Sequence, residues 1–188
     1  KEGAAGPLFW AHYSYLGLDP RGLKDQYADY WQLTQNQAKI VYSYCVANPK
    51  RWLGYSDKCW GLTASYSRNS DGSTGYSAHD TSNDLGVITP TAALSSFPYT
   101  PVESMKFLHY LYDEKKSDYV GIAGPYDAFS PQFNWVTPRY LAIDQGTIAP
   151  MIENYRTGLL WKLFMNATEV KQGLKKLGFQ SSKYNLNN

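Results

Sequence analysis

Residues 144–164 constrain this chain more than any other stretch, because they read as one long helix with no clearly polar side. Ile148, Met151, Ile152, Tyr155, Leu159 and Leu163 recur at spacings of three and four and mark one helical face. Ala149, Leu160, Trp161 and Phe164 lie off that face. A helix apolar on most sides is expected to be buried on most sides. Thr147 stands where a side chain caps a first turn, and Pro150 is tolerated there because first-turn amides have no intrahelical partner. The pattern predicts a helix over 148–165. Asp144 stands just ahead of its positive end, where the dipole favours a carboxylate.

Five more helices are predicted, over 7–16, 27–47, 90–96, 101–115 and 167–177. Pro7 and Pro101 suit first helical positions, Thr100 and Glu103 form a capping box, and Gly17 and Gly178 are stops. Helices apolar nearly all round (7–16, 90–96, 148–165) alternate with one-sided ones (27–47, 101–115, 167–177). Two long irregular stretches, 50–88 and 117–146, each precede an all-round apolar helix. Their aromatic residues argue against disorder. No stretch alternates apolar and polar residues between hairpin turns, so the chain reads as nearly all α. The alternation predicts a double-layered ring of helices. Its long loops would gather on one rim, at the amino-terminal ends of the inner helices.

A length of 188 residues suits one domain, here 1–179 followed by a polar tail, 180–188. The net charge is +2 and no long basic run exists, which argues against a nucleic-acid partner. Glu153, Asn154, Arg156 and Lys162 interrupt the apolar run of 148–165, so it suits a core helix and not a membrane span. Cys45 and Cys59 fit either a single disulfide or two free thiols. The three histidines and two cysteines show no metal-site spacing, and no phosphate-cradling loop or nucleophile elbow is present. Neither a metal nor a cofactor is expected.

The chemistry-bearing residues are acids ahead of the apolar helices. Glu2 precedes the first, His79, Asp80 and Asp84 the second, and Asp127 and Asp144 the third. Two carboxyl groups on one rim are the machinery of glycoside hydrolysis, one acid and one base or nucleophile. Glu2, Asp144, Asp127 and Asp84 are therefore the candidate catalytic residues. Each has a plainer alternative as a capping or turn residue. Aromatic residues make up 16% of the chain, and such rings stack on sugars or fill cores. Trp10, Trp60, Tyr76, His79 and Trp135 are the candidate substrate contacts.

Several segments together resemble the glycoamylase-like (glucoamylase-like) family. They are Gly6 to Ser14, Leu18 to Asp25, Cys59 to Ser65, Pro90 to Pro101, Ile143 to Gly146, and Met151 to Leu159. The resemblance implies an (α/α)6 toroid, with this chain its carboxy-terminal half and the amino-terminal half of the same toroid as its partner. It implies kinship with bacterial endo-β-1,2-glucanases and with a module of cyclic β-1,2-glucan synthases. The expected activity is inverting hydrolysis of a glucan, most readily β-1,2-linked, by an exported, periplasmic or cell-surface enzyme. The alternatives are a carbohydrate-binding or phosphorolytic module and an α-glucan-active enzyme.

Overall fold

A computed structural model describes residues 6–187. The helices are α1 (Phe9–Tyr13), α2 (Tyr30–Ala47), α3 (Pro90–Leu94), α4 (Pro101–His109), α5 (Lys116–Tyr119), α6 (Ala142–Gln145), α7 (Ile148–Arg156), α8 (Leu159–Met165) and α9 (Thr168–Lys176). A π-helical turn, Tyr110–Glu114, extends α4. Eight short strands accompany them: β1 (Leu23–Lys24), β2 (Ala64–Arg68), β3 (Thr74–Ala78), β4 (Val120–Gly121), β5 (Gly124–Pro125), β6 (Ala128–Ser130), β7 (Trp135–Thr137) and β8 (Gln180–Ser181). They form four antiparallel two-stranded ribbons, β1–β8, β2–β3, β4–β5 and β6–β7.

The ribbons overturn the all-α, (α/α)6 expectation: the fold mixes helices with β-ribbons. The reason is chemical. In β2 the buried alternate positions are Ser65 and Ser67, so the strand carries no alternating apolar stripe. Its turn is ordinary nonetheless. Asp71 accepts from the amide of Ser73 at 2.9 Å, and Asn69 N–H reaches Ser73 O at 2.9 Å.

The predicted 148–165 helix is two. Gly158 adopts a left-handed φ of 68° and separates α7 from α8. Asn154 fixes the break. Its Oδ1 accepts from the Trp161 amide at 3.2 Å, and its Nδ2 donates to Leu16 O at 2.8 Å. Trp161 is wholly buried and donates its indole N–H to Tyr15 O at 2.7 Å. Burying Trp161 against Tyr15 and Leu16 thus redirects the chain. Leu159, Leu163 and Phe164 are left exposed.

The main core gathers Leu8, Ala38, Val41, Trp60, Phe107 and Met151 around α3, whose five residues are all buried. Gly61 packs directly on α3: a Cβ there would stand 2.9 Å from Thr89 O, and its φ of 134° suits glycine alone. The Thr147 hydroxyl does not cap its own helix. It bonds sideways to Ser95 Oγ (2.8 Å) and Thr91 Oγ1 (3.2 Å), tying α7 to α3. The amide of Phe9 donates to Thr63 Oγ1 at 2.8 Å, and Thr89 N–H to Gly61 O at 3.0 Å. The segments leading into α1, α3 and α7 therefore lie side by side, around the root of the β2–β3 ribbon. The carboxy-terminal stretch is tied down as well: β8 pairs with β1, and Tyr184 donates to Asp19 Oδ2 at 3.0 Å.

Candidate active site

Asp127 lies just ahead of β6 and Asp144 within α6. The β2–β3 ribbon brings them together. Tyr66 and Tyr76 are opposite one another in its register, with rings in edge contact, centroids 6.3 Å apart. The Tyr66 amide donates to Asp127 Oδ2 at 2.8 Å, and the Tyr76 hydroxyl donates to Asp144 Oδ1 at 2.7 Å. One cross-strand pair thus holds both carboxyl groups. Each acid keeps one oxygen, Asp127 Oδ1 and Asp144 Oδ2, without a hydrogen-bond partner among the described residues.

The supports come from several elements. Asp127 N–H donates to Arg139 O at 3.1 Å, and the Arg139 guanidinium lies over the Tyr66 ring at 5.6 Å. The single-turn helix α6 is held by Gln145, whose Oε1 accepts from the Leu141 amide (2.9 Å) and whose Nε2 donates to Pro125 O (2.6 Å). Tyr13 of α1 donates to Ile143 O at 2.6 Å. Sequence reasoning passed over Tyr13, Tyr66 and Arg139, because two of them act through backbone groups and nothing local marks that.

Electrostatics separates the two acids. Burial, reinforced by the charge of Asp144 and opposed by the Tyr66 amide, lifts the Asp127 pKa to about 7. Burial also raises that of Asp144, but the Tyr76 hydroxyl pulls it back toward the ionised form. Near neutrality Asp127 is poised to hold a proton while Asp144 is the readier anion. An acid and a base in adjacent positions can protonate a leaving oxygen and activate a nucleophile.

The other candidates lie elsewhere. Asp84 is buried and accepts from Tyr55 Oη (2.7 Å), Trp52 Nε1 (2.8 Å), Tyr44 Oη (3.1 Å) and the Gly86 amide (3.0 Å). Glu2 lies outside the described residues. His79 is fully buried at the end of β3, and burial lowers its pKa to about 4 against the opposing charge of Asp84, so it is neutral near pH 7. Trp60 is a core residue, edge-on to Tyr42 at 5.3 Å. Trp10 stands out from α1, 62% exposed, three residues before Tyr13. Trp135 sits on β7, at the end of the β6–β7 ribbon away from Asp127. Only Tyr76 among the aromatic candidates touches an acid of the pair.

Cys45 and Cys59 are buried free thiols. Among the described residues, no group of three or more His, Cys, Asp and Glu is placed to hold a metal ion. No helix among them is long and apolar enough to cross a membrane.

Known proteins resemble this chain along most of its length. The Glycoamylase family model, described as "Putative glucoamylase", matches residues 1–168. An exo β-1,2-glucooligosaccharide sophorohydrolase (non-reducing end) from Parabacteroides distasonis is 45% identical over 174 residues, which are 92% of this chain and 23% of that protein. The structure of an endo-β-1,2-glucanase from Chitinophaga pinensis, in complex with sophorotriose and glucose, is 57% identical with a TM-score of 0.89, covering 94% of this chain and 41% of that one. That of a β-1,2-glucanase from Parabacteroides distasonis is 44% identical with a TM-score of 0.86, covering 92% and 24%. The chain thus spans less than half the length of each of these relatives. By the extent of the family match, this chain belongs to the Glycoamylase family.

Proposed function

We propose that this chain is part of a glycoside hydrolase acting on β-1,2-linked glucan. The observation that carries the reading is the pair of buried aspartates, one held by the Tyr66 amide and the other by the Tyr76 hydroxyl, each with an oxygen free of partners among the described residues. Asp127 is the proton donor to the glycosidic oxygen and Asp144 the base that activates water, an inverting mechanism. Tyr76 is half exposed, so its ring is open to substrate while its hydroxyl orients Asp144. The linkage comes from what the relatives hydrolyse.

The proposal includes a further part of the same protein. Trp10, Tyr155, Leu159, Leu163 and Phe164 are exposed on α1, α7 and α8, an apolar surface that another segment would cover. The relatives' greater length supports this. An exported, periplasmic or cell-surface location rests on the family resemblance alone, and fractionation of the native host tests it.

The direct test is incubation of the complete protein with β-1,2-glucan and with starch, following oligosaccharide release and the anomeric form of the first product by NMR. The reading predicts cleavage of the β-1,2-glucan with inverted product and none of starch. Cleavage that requires inorganic phosphate would make the enzyme a phosphorylase instead. An intact protein that cuts neither polymer ends the hydrolase reading for both.

A further inference from the structure

The β6–β7 ribbon has Asp127 just ahead of one end, and at its other end it opens onto a second cleft. This cleft holds about 440 Å³ and is lined by Lys115, Asp118, Tyr119, Asn134, Trp135 and Val136. Trp135 is partly exposed, and its indole N–H donates no hydrogen bond among the described residues. The Asn134 side chain is exposed and likewise unbonded, and its backbone holds a left-handed φ of 45°. That conformation is uncommon outside glycine, although asparagine tolerates it better than most.

The surroundings keep this wall rigid. Asn134 N–H closes a turn onto Pro131 O at 3.3 Å, the Leu53 amide donates to Gln132 Oε1 at 2.9 Å, and Phe133 packs on Trp52 at 5.8 Å. On the other wall Tyr119 stacks flat on Phe129, 3.8 Å apart and 8° from parallel. Lys115 and Asp118 pair only loosely, at 3.4 Å with both side chains about half exposed, so both keep bonding capacity for a ligand.

We propose that this cleft is a second glucan-binding site, where a glucosyl unit lies against Trp135 and its hydroxyls bond Asn134, Asp118 and Lys115. The inference rests on the proposed substrate. A concave site with one aromatic wall and a few unpaired donors and acceptors suits a polar, uncharged ligand with an apolar face. One cation and one anion give no basic stripe for nucleic acid. Trp135 pairs with Ser130, three residues beyond Asp127. At strand rise that is about 10 Å of ribbon, and the odd spacing turns the two side chains to opposite faces of it, so the cleft is a separate site that a glucosyl unit fills independently of the acid pair.

The test uses the complete protein carrying Asp144→Asn, which separates binding from turnover, titrated calorimetrically with β-1,2-glucan and with the β-1,2-linked disaccharide. Adding Trp135→Ala is expected to weaken the polymer by about tenfold and to remove one of two disaccharide-binding events. Trp135→Phe should restore most of the loss. Lys115→Ala removes a half-exposed side chain that makes only a loose ion pair, and is expected to weaken the polymer about threefold. Unchanged polymer affinity in the Trp135→Ala and Lys115→Ala proteins overturns the second site and leaves the hydrolase reading standing. If the Asp144→Asn parent binds no glucan, the substrate assignment and the second site fall together.

Discussion

Two neighbourhoods of this molecule bury aspartate, and they do it in opposite ways. Asp84 receives four donors, from Tyr44, Trp52, Tyr55 and the Gly86 amide, so its carboxylate is saturated. Among the described residues Asp127 and Asp144 receive one apiece and keep an oxygen free. A saturated buried carboxylate welds loops together; an undersupplied one holds its proton tightly and keeps an atom for reaction. The lesson is that burial alone does not mark a working acid. What separates the two neighbourhoods is the number of donors each carboxylate receives.

The largest effect should separate the two regions outright. Asp144→Asn in the complete enzyme is expected to lower turnover of β-1,2-glucan by about 10²–10⁴, with the melting temperature unchanged. A loss within threefold would put Asp144 in the same structural role as Asp84. Next comes Asp84→Ala, which strands several buried donors and should cost about 3 kcal/mol of stability. Chemical denaturation reads this, and an unchanged midpoint would erase the contrast. Third, Tyr76→Phe removes the donor that favours ionised Asp144. Asp144 then protonates at higher pH, so the acid limb of the pH–rate profile should move upward while the alkaline limb, set by Asp127 near 7, stays in place. Movement of both limbs together would mean that Tyr76 serves the pair only as packing.

The smallest effect sharpens the comparison through stability. Between about pH 4 and 7 native Asp127 holds a proton that the unfolded chain has released, so its contribution to stability is lost as pH rises through that window. Asp127→Asn removes the penalty. The melting temperature should rise by about 2–4 °C at pH 8 and hardly change at pH 4. A fall at pH 8 would show that the carboxylate is compensated by contacts like those around Asp84.

Much of the framework was legible in the chain. The predicted helix over 27–47 appears as Tyr30–Ala47, its first turn capped where Asp29 accepts from the Gln32 amide at 3.1 Å. The segments before α1, α3 and α7 do lie together. The ribbons were not legible, because Ser65 and Ser67 fill the buried side of β2 and erase its apolar alternation. The break in the 148–165 helix was only half written. Gly158 is visible, but a lone glycine costs a helix about 1 kcal/mol. What decides the matter is Asn154 reaching the Trp161 amide once Trp161 is buried.

By itself the sequence determined the order of the acids along the chain, and a family pattern spread along most of it. Both are matters of local order, set by spacing, caps and periodicity. The tertiary structure decided which acids share a site and which of them holds a proton. The Tyr66 amide lies 61 residues from Asp127, and the Tyr76 hydroxyl 68 residues from Asp144. A carboxyl group's proton affinity is set by the water it loses and the donors it gains, and here both come from chain far away in sequence.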